Sequence, residues 1–194
     1  MRCPSNGRAA ALALALALSL AGPRDAGAAS LEGVAFADRV QAGDVALDLH
    51  ALALLRYRVL FRAYVAGLYV AAPSDAEAIL DDVPKRLELS YFWPIAGADF
   101  GPAADALLAR NVPAERLARL RPRIERLHGA YRDVEPGDRY ALTYLPGRGT
   151  ELALNGRPLV VIEGADFAAA YFSIWLGERP LDEGLRDALL GRGD

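Results

Sequence analysis

Residues Leu54 to Val70, LLRYRVLFRAYVAGLYV, decide how the rest of the chain is read. The stretch is rich in β-branched and aromatic residues, which suit a pleated, half-buried surface. It also alternates: Tyr57, Val59, Phe61, Ala63 and Val65 share one parity, while Arg56, Arg58, Leu60, Arg62 and Tyr64 share the other. A period of 2 fits the apolar positions better than the 3.6 of an amphipathic helix, so the stretch predicts one long strand. One face of that strand is apolar, and the other carries three guanidiniums and a phenol. Gly67 marks a place for a bend, a bulge or a close backbone approach. Arg56 and Tyr64 then share a face eight residues apart, and that pairing asks for a functional reason.

Working outward, Val45 to Leu55 alternates and leads into this strand, preceded by a turn at Gly43-Asp44 and a first strand over Leu31 to Val40. On the other side Pro73-Ser74-Asp75 ends the central strand, and Ser74 or Asp75 can cap a short helix over Ala76 to Leu80. Lys85 to Phe92 alternates again. Asp99 is placed to cap a helix running to about Asn111, and Pro113 separates it from a charged helix over Ala114 to Tyr131. Leu117, Leu120, Ile124, Leu127 and Tyr131 form one apolar stripe on that second helix. Its arginines interleave with Glu115 and Glu125, which reads as a solvated face more than a phosphate site.

Strand Arg139 to Leu145 follows the Pro136-Gly137 turn. Asn155-Gly156 between Glu151–Leu154 and Arg157–Glu163 is a strong signal for a two-residue hairpin. Asp166 can cap a helix over Phe167 to Leu176, and a last helix spans Leu181 to Leu190. Several antiparallel-looking strands with grouped helices predict an α+β fold: a large antiparallel sheet with helices packed on one face.

The amino terminus reads differently. Arg2 and Arg8 precede an Ala/Leu run from Ala9 to Leu20, and Ala26-Gly27-Ala28 has the form of a cleavage signal, so residues 1–28 are expected to be a signal peptide and 29–194 one domain. The apolar run is short for a bilayer span, and no later segment is long and apolar enough for one. Periplasmic location is the expectation. Without residues 1–28 the basic count falls from 22 to 19 and the acidic count from 25 to 24, so net charge moves from −3 to −5. An acidic chain argues against a nucleic-acid partner. Cys3 is the only cysteine and lies in the segment to be removed, which leaves no disulfide and no thiol chemistry.

The two histidines, His50 and His128, are far apart and have no partner at metal-ligand spacing, so no metal site is expected; His128 reads as a surface residue. No nucleophile elbow, phosphate-binding loop or dinucleotide fingerprint is present, and no cofactor is expected. Arginine, tyrosine and asparagine remain: groups that bind or polarise an oxyanion instead of moving protons near neutrality.

The succession FRAYVAGLYV (61–70), ILDDVPKRLELSYF (79–92), ARN (109–111), GDRYALTYLPGRGTEL (137–152), LNGRPL (154–159) and DFAAAYFSIWLGERPLDEGLRDALLG (166–191) resembles the chalcone isomerase-like family, in particular its exported bacterial branch. The resemblance implies an open-faced β-sandwich with a ligand cleft between sheet and helices. Carried over by position, the family's cleft arginine falls on Arg56, its threonine on Tyr64 and its asparagine on Asn111. The cleft tyrosine falls on Ala104, and the last hydroxyl position falls on Ile174, with Ser173 adjacent. The cluster that closes a flavanone ring is therefore incomplete. The arginine and phenol, however, resemble the pair that fatty-acid-binding members of the superfamily use for a carboxylate. The resemblance thus implies binding of a small amphipathic carboxylate or phenolic ligand through Arg56, Tyr64 and Asn111, without isomerase activity. An intramolecular lyase acting on a chalcone-like enone and a non-catalytic envelope protein are the other readings.

Overall fold

The computed structural model describes residues 27–57, 61–71 and 78–192. Nine strands are present among them: β1 (Ala28–Leu31), β2 (Val34–Ala37), β3 (Arg39–Ala42), β4 (Val45–Tyr57), β5 (Phe61–Val70), β6 (Lys85–Tyr91), β7 (Arg139–Leu145), β8 (Gly149–Leu154) and β9 (Arg157–Ile162). Four helices accompany them: α1 (Gly97–Asn111), α2 (Ala114–His128), α3 (Ala165–Leu176) and α4 (Glu183–Leu189). Strands β3 to β9 form one antiparallel sheet in sequence order, and β1–β2 form a separate hairpin. The expected α+β architecture is present: the helices cover one face of a seven-stranded sheet. The expected signal peptide falls almost wholly outside the described residues, and β1 begins at Ala28.

The central stretch is two strands. β4 and β5 run antiparallel with Tyr57 opposite Phe61, so the chain reverses inside what the alternation predicted as one strand. The register pairs Leu55 with Tyr64 and Arg56 with Arg62, which leaves Ala63 as the extra residue of a β-bulge. That bulge changes which residues share a face. Ala63 and Tyr64 both pack in the main core, under the helices, while Arg62 turns to the opposite side.

Beyond the bulge β5 is buried on both faces. Tyr64, Ala66, Leu68 and Val70 pack in the helix-covered core, and Val65 and Tyr69 pack with Phe36 and Leu47 in a second cluster beneath the β1–β2 hairpin. Gly67 makes no bend. It sits in regular register, and a β-carbon there would come 2.8 Å from Phe36 Cδ1, so the glycine is what lets the hairpin close onto the sheet.

Local rules account for much of the remainder. Asn155 (φ 50°) and Gly156 (φ 77°) make the expected tight turn, with Leu154 paired to Arg157. Helix α1 starts two residues before the expected cap. Asp99 lies in its first turn, and the carboxylate of Asp133, from a different part of the chain, accepts the Gly97 N–H at 2.8 Å. Asp182, not Leu181, begins α4 by accepting the Leu185 N–H at 2.7 Å. The short helix expected over 76–80 is a single 3-10 turn, Ala78–Leu80, within the described residues. The arginines of α2 are largely engaged: Arg123 pairs with Asp166 at 2.6 Å and Arg121 with Asp105 at 2.8 Å.

Candidate functional site

An apolar cleft of about 160 Å³ lies between the sheet and helices α1 and α3. Tyr64 of β5, Tyr91 at the end of β6, Ala104 and Phe100 of α1, and Ile174 and Trp175 of α3 form its walls, and Tyr131 and Tyr171 complete the lining. Leu181 stands at the rim with 38% of its surface exposed. An apolar cavity of about 150 Å³ holds one benzene, so the cleft has room for a single ring or a short alkyl segment. Anything longer extends past the rim.

Aromatic packing sets the walls. Tyr91 is the hub, edge-on to Tyr64, Phe100 and Tyr140 at centroid distances of 5.7, 5.8 and 6.2 Å. Phe100 in turn stacks on Tyr131 at 4.8 Å. Such offset and edge-to-face contacts add modestly to the large area each ring buries.

The polar inventory of the cleft is short. The Trp175 indole N–H donates to the Tyr64 hydroxyl at 3.1 Å, and the Tyr131 and Tyr171 hydroxyls share a hydrogen bond at 2.9 Å. Among the described residues no group accepts the hydrogen of Tyr64, which leaves it available to a ligand. Burial pushes the phenols of Tyr64, Tyr91, Tyr131 and Tyr171 above their ordinary range, so all four are neutral at physiological pH. Among the described residues no lysine, arginine, histidine or carboxylate side chain lines the cleft. The described lining side chains can donate hydrogen bonds, and none of them is a counter-charge or a general base.

Of the three expected binding residues, the structure places only Tyr64 in the cleft. Arg56 lies on the opposite face of the sheet, half exposed, with its guanidinium 3.1 Å from Glu32 at the tip of the β1–β2 hairpin; Arg62 reaches the other oxygen of the same carboxylate at 3.1 Å. The reason is the register: Leu55, not Arg56, stands opposite Tyr64. Asn111 ends α1 away from the cleft. Its amide donates to Leu107 O (3.2 Å) and Arg179 O (2.8 Å) and accepts from Arg179 N (2.8 Å), so it ties the loop after α3 to α1. It borders a separate, polar surface hollow of about 550 Å³ with Arg110 and Arg179.

Other positions carried over from the family do converge. Tyr64, Ala104 and Ile174 all line the cleft, whereas Ser173 turns back to bond Ala170 O in its own helix at 2.6 Å. Sequence reasoning missed Tyr91, Phe100, Tyr131 and Trp175. Tyr131 belongs to the apolar stripe expected over Ala114 to Tyr131, and nothing in that spacing separates a core position from a cleft wall. His128 is half-buried against the rings of Tyr131 and Tyr171 (6.2 and 6.0 Å), not a surface residue, and burial lowers its pKa.

A buried lysine lies outside the cleft. Lys85 is 1% exposed, donates to Asp81 O at 2.5 Å, and sits 5.2 Å from the ring centre of Tyr144 and 5.6 Å from that of Phe172. Burial lowers its pKa to about 8, with Asp81 and Asp82 opposing in part. An unfolded lysine titrates near 10.4. Between these values the unfolded chain binds a proton that the folded chain has released, so this residue makes stability rise with pH across that window. Below about 8 its full penalty is present. Lys85→Met should accordingly raise the Tm at pH 7 by a few degrees and flatten the alkaline rise, as read by thermal melts of both proteins from pH 7 to pH 10.5.

Comparisons with known proteins agree with this geometry. The model of the family described as chalcone isomerase-like matches residues 28–191. Among solved structures, a fatty-acid binding protein of Arabidopsis thaliana is similar in fold, with a TM-score of 0.64 at 15% sequence identity, over 84% of this chain and 96% of that one. No curated protein matches in sequence. With a sheet, helix layer and cleft of the expected kind and a family match over nearly the whole described chain, the protein belongs to the chalcone isomerase-like family.

Proposed function

We propose that this chain is an exported, periplasmic binding protein that holds a small amphipathic ligand in the cleft between the sheet and α1/α3, without isomerase activity. The observation that carries the reading is the cleft itself: an apolar hollow lined by phenols, with the Tyr64 hydroxyl hydrogen and the Tyr91 hydroxyl unpaired among the described residues. The similar Arabidopsis protein is a fatty-acid binding protein, which supports a ligand of the same general kind. Export rests on the basic start, apolar run and A-x-A site of residues 1–28.

The lining also speaks to the ligand's polar end. An ionised carboxylate drawn into this cleft would meet no cation among the described residues, and burying an unpaired charge is costly. A phenol, a ketone or a protonated acid can accept from Tyr64 inside, while an ionised head group stays at the rim in water. Catalysis has little to work with. Ala104 stands where the family's cleft tyrosine is expected, and no described wall residue is a histidine or carboxylate that could move a proton near neutrality.

The test is native mass spectrometry and solvent extraction of the purified protein. A co-purifying amphiphile is expected, and Tyr64→Phe should weaken its affinity about tenfold, the worth of one hydrogen bond. A protein that carries no ligand, or that converts naringenin chalcone well above the spontaneous rate, would overturn the reading.

A further inference from the structure

Beside the cleft an exposed aromatic pair stands at one end of the sheet. Phe61, the first residue of β5, and Trp93, just after β6, are 51% and 53% exposed and meet edge to face at 6.2 Å. The Trp93 indole N–H donates to Arg62 O at 2.9 Å, which fixes the ring while leaving its apolar surface in solvent. The guanidinium of Arg62 lies 4.7 Å from the ring centre of Phe92. Arg56 and Arg62 share the single carboxylate of Glu32, so these three groups together carry one net positive charge.

The location links this patch to the cleft. Phe61 is three residues before Tyr64, and Trp93 lies between Tyr91 and Ile95; Tyr64, Tyr91 and Ile95 are cleft walls. Leu181, another exposed apolar side chain, stands on the cleft rim. Rings with a satisfied N–H and bare apolar surface, flanked by arginines, have the composition of side chains that settle at a membrane–water interface.

We propose that this end of the molecule docks on the headgroup region of an anionic lipid bilayer. Phe61 and Trp93 enter the boundary between headgroups and acyl chains, and Arg56 and Arg62 face lipid phosphates. Glu32 competes with those phosphates for both guanidiniums. An amphiphile could then pass between bilayer and cleft without crossing bulk water. That last step rests on the cleft's proposed function; the docking itself requires no ligand.

Flotation of the purified protein with vesicles tests it. Binding is expected to vesicles of phosphatidylcholine with phosphatidylglycerol, weakly or not at all to phosphatidylcholine alone, and to fall as salt rises. The double variant Phe61→Ser/Trp93→Ser should lose at least tenfold in vesicle affinity, Arg56→Gln/Arg62→Gln should lose the preference for anionic lipid, and Glu32→Gln should gain a few-fold. Phe61, Trp93, Arg56 and Arg62 are all about half exposed, so thermal melts of the two double variants should stay near wild type, and the affinity for a soluble naphthol probe, measured without vesicles, should stay unchanged. Failure of wild type to float with anionic vesicles overturns the docking, as does equal flotation of the serine double variant. So does an analytical-ultracentrifugation dimer that Trp93→Ser dissociates with no vesicle binding, because a second copy would then cover the patch. Normal flotation with no naphthol binding would leave the docking standing and remove the cleft reading alone.

Discussion

Ala104→Trp is expected to abolish ligand binding, with an affinity loss above 100-fold and the fold retained. Ala104 faces the cleft from the middle of α1, opposite the Tyr64 and Tyr91 walls, and is 7% exposed. An indole placed there has an apolar hollow of about 160 Å³ to enter, so the added ring takes the volume the ligand would use. Overpacking a filled core costs about 1–3 kcal/mol, but here the space is already open, and the loss of stability should sit at the low end of that range. Titration with the extracted ligand, alongside a thermal melt, separates the two effects. Asn111→Ala is the companion. It removes two hydrogen bonds to the Arg179 main chain and should lower stability by about 1–2 kcal/mol, yet leave affinity within twofold, because Asn111 is outside the cleft. If the effects were reversed, the polar hollow beside Asn111 would be the binding site.

The contrast between these two residues shows what the sequence could convey. Ala104, Tyr64 and Ile174 came from a family pattern, and the fold brings all three to one hollow. Strand and helix identities were readable because each rests on a local rule: the Asn155-Gly156 hairpin, the alternation of Lys85 to Tyr91, the stripe of α2. Two features of the central stretch were not. Alternation continues through the reversal between Tyr57 and Phe61, and residues 58–60, Arg-Val-Leu, contain no turn-forming residue to announce it. The bulge at Ala63 then places Arg62 and Tyr64, which share parity, on opposite faces. Period-2 reasoning assumes an unbroken pleat, so the bulge and the reversal together misplaced the arginines. The carboxylate receptor expected from Arg56 and Tyr64 thus becomes two separate features, a phenol in the cleft and a pair of arginines behind the sheet.

The other large effect expected is on stability, at Glu88. This residue pairs with Gly67 on β5 and points to the hairpin-covered face, where its side chain is 10% exposed. One carboxylate oxygen takes Arg86 at 2.8 Å and the other takes Arg139 at 2.9 Å. Arg139 extends the network outward: it donates to Ala35 O at 2.8 Å and lies 4.7 Å from the ring centre of Phe36, so this guanidinium, like Arg56 and Arg62 at the hairpin tip, ties sheet to hairpin. Removing Glu88 leaves two partly buried cations side by side with no carboxylate between them. Breaking a buried pair from one side typically costs about 3–5 kcal/mol, and partial exposure of Arg139 places Glu88→Ala near the lower figure, about 3 kcal/mol. Glu88→Gln keeps the shape and one acceptor, and about half that loss is expected. Urea unfolding of both variants measures the difference. Because Arg139 is one of the ties between the sheet and the β1–β2 hairpin, Glu88→Ala should also raise amide exchange in β1 and β2 before the helix-covered core is affected. Uniform exchange across both layers would show instead that Phe36, seated over Gly67, holds the hairpin without help from the charges.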